Sequence, residues 1–199
     1  MLTAILQAIG LFIVTSIDDL IVLSLFFARG AGSRGTTWRI LLGHYVGFGA
    51  ILLASVTVAL AARSFLPEGL LPYFGLIPLL LGLYMAWKAW RGDAEDDDGQ
   101  ERVAGKRISA LTVAGVTFAN GGDNIGVYVP VFATVSTSSL MVYGIVFFVL
   151  IAVLVFLAKF IATRKPIAEV LERWEHILFP VVLIGLGLVI LIEGGAFGL

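Results

Sequence analysis

Three carboxylates stand inside apolar sequence: Asp18 and Asp19 in the middle of the run 2–28, and Asp123 in the middle of the run 108–133. A carboxylate at the centre of a membrane helix costs about 2.5–3.5 kcal/mol on insertion scales. No Lys or Arg lies deep in any apolar run to pair with these groups. Protonation, a bound cation and a water-filled cavity are the remaining ways to hold them, and each is a form of ion or proton handling. The competing reading is a neutral Asp that hydrogen-bonds a helix neighbour and does nothing further.

The neighbours supply oxygen. Residues three or four apart share a helix face, which puts Thr15 on the side of Asp18 and Asp19, and Ser16 below Asp19. In the second run Asn120 takes the equivalent place below Asp123 and Asn124. Carboxylate, amide and hydroxyl oxygens suit hard or borderline divalent cations, so the expected metal ligands are Asp18, Asp19 and Asp123, with Asn120, Asn124, Thr15 and Ser16 around them. Gly121 and Gly122 precede Asp123 directly. Two glycines read equally as an unwound stretch that exposes carbonyl ligands and as a point of close helix packing.

Other polar groups carry plainer readings. His44 is either a proton relay, since imidazole titrates near neutral pH, or an interhelical hydrogen bond. Tyr45 and Tyr128 read as packing or interface residues, Glu193 as an interfacial charge, and His176 as a headgroup-region residue. The acidic run Asp93 to Asp98 reads as a solvated linker. Ile167, Val170, Leu171 and Trp174 recur at helical spacing, which predicts a short amphipathic helix over 166–175.

These residues need elements to position them, and the composition says which kind. Of 199 residues, 59% are hydrophobic and only 14% charged, and mean hydropathy is +1.02. Soluble domains carry about a quarter charged residues, so a soluble enzyme and a disordered chain are both excluded. Net charge −1 leaves no nucleic-acid footprint. The absence of cysteine removes disulfides, thiolate metal sites and cysteine nucleophiles.

Apolar runs between charge clusters predict an all-α membrane protein with six transmembrane helices, over 2–28, 40–62, 70–89, 108–133, 140–161 and 177–192. Pro72 and Pro78 interrupt the third. No basic residue precedes Arg29, so the first run reads as a retained helix rather than a cleaved signal. Arg29, Arg34 and Arg39 lie between spans one and two. Lys88, Arg91, Arg102, Lys106 and Arg107 lie between three and four, and Lys159, Arg164, Lys165 and Arg173 between five and six. Arg63 is the sole exception among the 13 basic residues. The positive-inside rule then places those loops in the cytoplasm and both termini outside.

The halves also resemble each other. Ser16-Ile17-Asp18-Asp19-Leu20 aligns with Gly121-Gly122-Asp123-Asn124-Ile125, and the match runs without a gap to Phe27-Ala28 against Phe132-Ala133. Three spans per half is an odd number, so the halves run in opposite senses. The expected plan is two inverted three-helix repeats in a single transmembrane domain: repeat one over 1–90, a cytoplasmic linker over 91–107, and repeat two over 108–199. Transporters of this plan bind substrate near the midplane between the repeats.

Thr15-Ser16-Ile17-Asp18-Asp19-Leu20, Gly43-His44-Tyr45-Val46-Gly47 and Asn120-Gly121-Gly122-Asp123-Asn124-Ile125 resemble the bacterial cadmium resistance transporter family, of the lysine exporter superfamily. The resemblance covers essentially the whole chain. It implies export of cadmium or a related divalent cation across the bacterial plasma membrane, with the family's acidic motifs falling on Asp18, Asp19, Asp123 and Asn124. No resident cofactor is expected, because the metal is cargo. The expected partners are the lipid bilayer, a divalent metal ion, protons for antiport and, as one option, other copies of the chain in a homo-oligomer. The alternatives are an exporter of an amino acid or small organic cation, a non-transporting sensor, and an intramembrane aspartyl protease, whose Gly-x-Gly-Asp pattern fails because Asn120 occupies the first glycine position.

Overall fold

Backbone groups in an apolar segment with no water must pair within the segment, and a helix is the form that achieves this. The computed structural model describes residues 2–30, 35–91, 108–162 and 180–196, and every element in them is helical. Helix α1 (Leu2–Thr15) is followed by α2 (Ile17–Arg29) and α3 (Thr36–Phe65). A 3-10 helix (Glu68–Gly75) leads into α4 (Leu76–Arg91). Next come α5 (Ala110–Asn120), α6 (Gly122–Thr134) and α7 (Thr137–Ile161), and the apolar helix Pro180–Glu193 is α8. The acidic run, the amphipathic segment 166–175 and His176 lie outside the described residues.

Local sequence sets the starts and stops. Ser109 and Ser136 cap α5 and α7 by accepting from the backbone N–H of Thr112 at 3.1 Å and of Ser139 at 3.2 Å, as capping hydroxyls do. Pro67 follows the extended Leu66 and ends α3. Pro72 lies in the 3-10 helix. Pro78 falls in the first turn of α4, where a missing N–H breaks no helical bond.

Two of the expected spans are not single helices. The first is split at Ser16, and α1 and α2 meet at a 56° bend. The fourth is split at Gly121 into α5 and α6. Only Thr36–Phe65, Gly69–Lys88 and Thr137–Ile161 are long and apolar enough to cross a membrane alone among the described residues; the bent pair α1–α2 passes as a fourth, while α5 and α8 are shorter. Length alone therefore supports up to four crossings, where hydropathy predicts six. Of the two that fall short, one is divided by the break at Gly121, and the other, α8, is a short helix among the described residues.

Packing crosses between the two halves. Helix α3 lies chiefly on α5 and α6, while α1 and α2 lie on α7. Lipid tails are as apolar as leucine, so such contacts depend on close approach. Gly43 and Gly47, one turn apart, provide it: a Cβ at Gly43 would stand 2.5 Å from the Ala110 carbonyl oxygen, and one at Gly47 2.6 Å from that of Ala114. Gly75 and Gly187 do the same between the 3-10 helix and α8, each pressed on the other's carbonyl oxygen.

Candidate functional site

The two breaks meet. Each is one residue wide, at Ser16 (φ −114°, ψ 13°) and Gly121 (φ −88°, ψ 22°). Asp18 and Asp19 thereby fall in the first turn of α2, and Asp123 in the first turn of α6. The positive end of a helix dipole favours a negative side chain at such positions. On the other side of each break α1 and α5 present their carbonyl ends, which favour a cation.

The bonding between the breaks is mutual. Asn120, the last residue of α5, donates its amide to Asp18 Oδ2 at 2.6 Å and to Asp19 Oδ1 at 3.2 Å. Asn124, in the first turn of α6, donates its amide to the Thr15 carbonyl at the end of α1, at 3.2 Å. The alignment that pairs Asp18 with Asp123 also pairs Thr15 with Asn120 and Asp19 with Asn124. Under it, the Asn120–Asp19 and Asn124–Thr15 contacts exchange with each other.

Burial divides the expected ligands. Thr15, Ser16, Asp19 and Asn124 are each 1% exposed; Asp18 and Asn120 are half-buried and Asp123 is exposed. Asp123 Oδ1 accepts the backbone N–H of Asn124 at 3.0 Å. Ser16 Oγ, Asp19 Oδ2 and Asn124 Oδ1 are buried oxygens with no hydrogen-bond partner. Buried polar atoms are nearly always satisfied, so three open oxygens around one pair of helix breaks stand out. No set of three His, Cys, Asp or Glu side chains among the described residues is grouped closely enough to hold a metal. Asp18, Asp19 and Asp123, the expected metal ligands, therefore do not form such a set in this conformation.

Thr15 acts differently from its sequence reading. Its hydroxyl turns back to the Leu11 carbonyl at 2.9 Å and meets the Tyr128 hydroxyl at 2.7 Å, while its carbonyl takes the Asn124 amide. Tyr128 is the residue that the sequence reading assigned to packing. It is fully buried and touches the site through Thr15, and the signal was its place four residues beyond Asn124, on the same face. Its ring also belongs to a buried aromatic cluster, 5.7 Å from Phe132 and 5.4 Å from Phe147 between centroids. These rings pack on one another and do not form an open cage of the kind an organic cation would occupy.

His44 lies between the two packing glycines of α3. Its Nδ1 is 3.1 Å from Thr117 Oγ1 on α5, and Nε2 is buried without a partner. The interhelical hydrogen bond of its plainer reading is present. Gly121 forms the break and packs closely: a Cβ there would stand 2.5 Å from Ile51 Cδ1 on α3. Arg63, the basic residue outside the loop pattern, donates Nε to the Ala133 carbonyl at 2.9 Å and Nη2 to those of Phe132 and Val135. It closes the far end of α6, where a cation suits the helix dipole.

Apolar helices of spanning length, broken where carboxylates and unsatisfied oxygens gather, define a membrane protein with a polar crossing in its interior. The cadmium resistance transporter family matches residues 12–199, and the chain belongs to it. No curated protein and no solved structure matches the chain.

Proposed function

We propose that the chain exports a divalent metal cation, cadmium foremost, across the bacterial plasma membrane in exchange for protons. The observation that carries this reading is the group of buried, partnerless oxygens of Ser16, Asp19 and Asn124 at the crossing of two helix breaks. Asp18, Asp19 and Asp123 supply the charge, Asn120 holds the first two in place, and the carbonyl ends of α1 and α5 add dipoles favourable to a cation. Cadmium is soft and prefers sulfur. The chain has no cysteine, and Met85 and Met141 are its only internal methionines. An oxygen site of this kind also admits manganese, calcium and zinc, and weak binding suits a carrier that must release its cargo.

Two inverted three-helix repeats, with six crossings, fit the same reading. The exchange of bonds between the breaks supports it, as does the packing of each half's broken helix on the other half's second span. In this arrangement α5–α6 and α8 complete their crossings with help from neighbours. Both termini then lie outside, and a membrane-impermeant thiol reagent labels a cysteine at Ser138 but not one at Asp97 in intact cells.

Coupling follows from charge. Three ionised carboxylates around an empty site repel one another in a medium of low dielectric. A dication relieves that repulsion when the site is loaded, and protons relieve it when the site is empty. Exposing one site alternately to the two sides exchanges protons for metal. The test is metal-dependent proton movement in proteoliposomes. Metal transport that moves no protons and is unchanged when the pH gradient is collapsed would refute the coupling.

A further inference from the structure

Helix α6 holds the end of α1 at two points. From its first turn Asn124 donates its amide to the Thr15 carbonyl at 3.2 Å. One turn further on, the Tyr128 hydroxyl meets the Thr15 hydroxyl at 2.7 Å. The direction of this second bond follows from a count of protons. Thr15 has one hydroxyl proton, and it goes to the Leu11 carbonyl at 2.9 Å, a group that can only accept. Tyr128 is therefore the donor. Both hydroxyl protons are then committed to protein groups.

Packing alone does not account for the phenol hydroxyl. The alignment that pairs Asp18 with Asp123 places Leu23 opposite Tyr128, and Leu23 fills its position at 1% exposure without a polar atom. A buried hydroxyl is costly unless it is bonded, so a position that needs only bulk is better served by an apolar side chain. The Tyr128 ring is meanwhile held by Phe48 of α3, Phe132 of α6 and Phe147 of α7, at centroid distances of 6.2, 5.7 and 5.4 Å. The phenol is a strut that runs from this cluster to the end of α1. The equivalent place in the other half, with its leucine, has no such strut.

The consequence lies at Asn124. Its Nδ2 is on the Thr15 carbonyl, and its Oδ1 is one of the buried oxygens left without a partner. A shift of Thr15 takes that amide bond with it and re-aims Oδ1. We infer that Tyr128 is a positioning residue for the cation site: through Thr15, its hydroxyl fixes where the Asn124 oxygen is presented, and it does not touch the metal. The inference rests on the transport reading above and adds to it a residue outside the ligand set.

The test uses the full chain in proteoliposomes, with cadmium ion as the transported probe. Tyr128→Phe removes the hydroxyl and keeps the ring. It should raise the half-saturating cadmium concentration about fivefold, the scale of one hydrogen bond, with a much smaller change in maximal rate. Thr15→Val deletes the other half of the bond and should do the same, whereas Thr15→Ser keeps a hydroxyl and should stay near the unsubstituted value. The double variant Tyr128→Phe with Thr15→Val should shift no further than either alone, because one bond is lost in each case. A hydroxyl that serves stability only would lower the melting temperature in detergent and leave the half-saturating concentration unchanged. That result in a transporting Tyr128→Phe protein overturns the inference and leaves the transport reading standing. Additive shifts overturn it as well, because the two hydroxyls then act separately. If Tyr128→Phe does not fold, Thr15→Val and Thr15→Ser decide the matter on the same readout. Failure of the unsubstituted protein to move metal overturns the transport reading, and this inference with it.

Discussion

Behind the first helix break stands a buried acid, Asp19, and behind the second a buried amide, Asn124. Asp19 and Asn124 hold equivalent positions in the alignment of the halves and are buried to the same degree. Their bonds explain the difference. The carbonyl end of α1 needs a donor, and Asn124 supplies one to Thr15; a carboxylate has none to give. At the other break the donor is Asn120, so its partner must accept, and Asp19 does. A second buried carboxylate would add charge repulsion and leave the Thr15 carbonyl without that bond. The asymmetry concentrates buried charge in one half while both breaks stay bonded.

The largest effects should appear where charge is removed from this pair. Asp19→Asn should cut metal efflux from vesicles more than about 100-fold, the scale of losing one partner of a buried charge interaction, about 3–5 kcal/mol. Asp18→Asn and Asp123→Asn should also abolish it, with the protein still folded by gel filtration and thermal melting. The exchange Asp19→Asn with Asn124→Asp sharpens the comparison: if the halves are related by an inverted repeat, the double variant should move more metal than Asp19→Asn alone. Equal, null transport by both would separate the two breaks functionally.

Asn120→Ala comes next. It removes the amide that holds Asp18 and Asp19, a loss of about 1–3 kcal/mol. Metal affinity measured by titration calorimetry should fall about tenfold. Unchanged affinity would mean that the amide serves packing only.

Packing variants test how α3 supports the second break. A Cβ at Gly47 would meet the Ala114 carbonyl oxygen and Thr117, whereas one at Gly49 would meet nothing within 4 Å. Gly47→Ala should destabilise by about 1–3 kcal/mol, and Gly49→Ala should gain up to about 1 kcal/mol. Melting temperatures in detergent should move in opposite directions. The smallest effect on efflux is expected at His44→Ala, which loses one hydrogen bond to Thr117, about 1 kcal/mol, and leaves a cavity beside Phe48 that lowers stability but not transport. Efflux should stay within about twofold of the unsubstituted chain, and a changed pH profile of transport would place His44 in the proton path.

Much of this molecule is legible without coordinates. Helix follows from apolar length, because an apolar segment has no other way to pair its backbone. Asp18, Asp19 and Asp123 stand out because charge is rare in such runs. The gapless match of the halves gave the pairing of Thr15 with Asn120 under which the bonds exchange. Less was legible in how the ligands divide. Sequence spacing puts Thr15 beside the acids on a continuous helix, but the helix ends at Thr15, whose hydroxyl back-bonds to the Leu11 carbonyl of α1. Tyr128 packs among aromatic rings, as the sequence predicts, and only the fold brings its hydroxyl to Thr15.

Helical class, membrane habit and the residue types at the crossing are written in the amino-acid sequence, since these depend on local composition and on the solvation cost of charge. Three-dimensional packing alone makes the two broken helices meet, carries Asn120 and Asn124 each into the other half, and leaves particular oxygens open. Those outcomes depend on distances between residues about a hundred positions apart. Close packing at Gly43 and Gly47 helps set such distances, and no local pattern records which helix it will bring near.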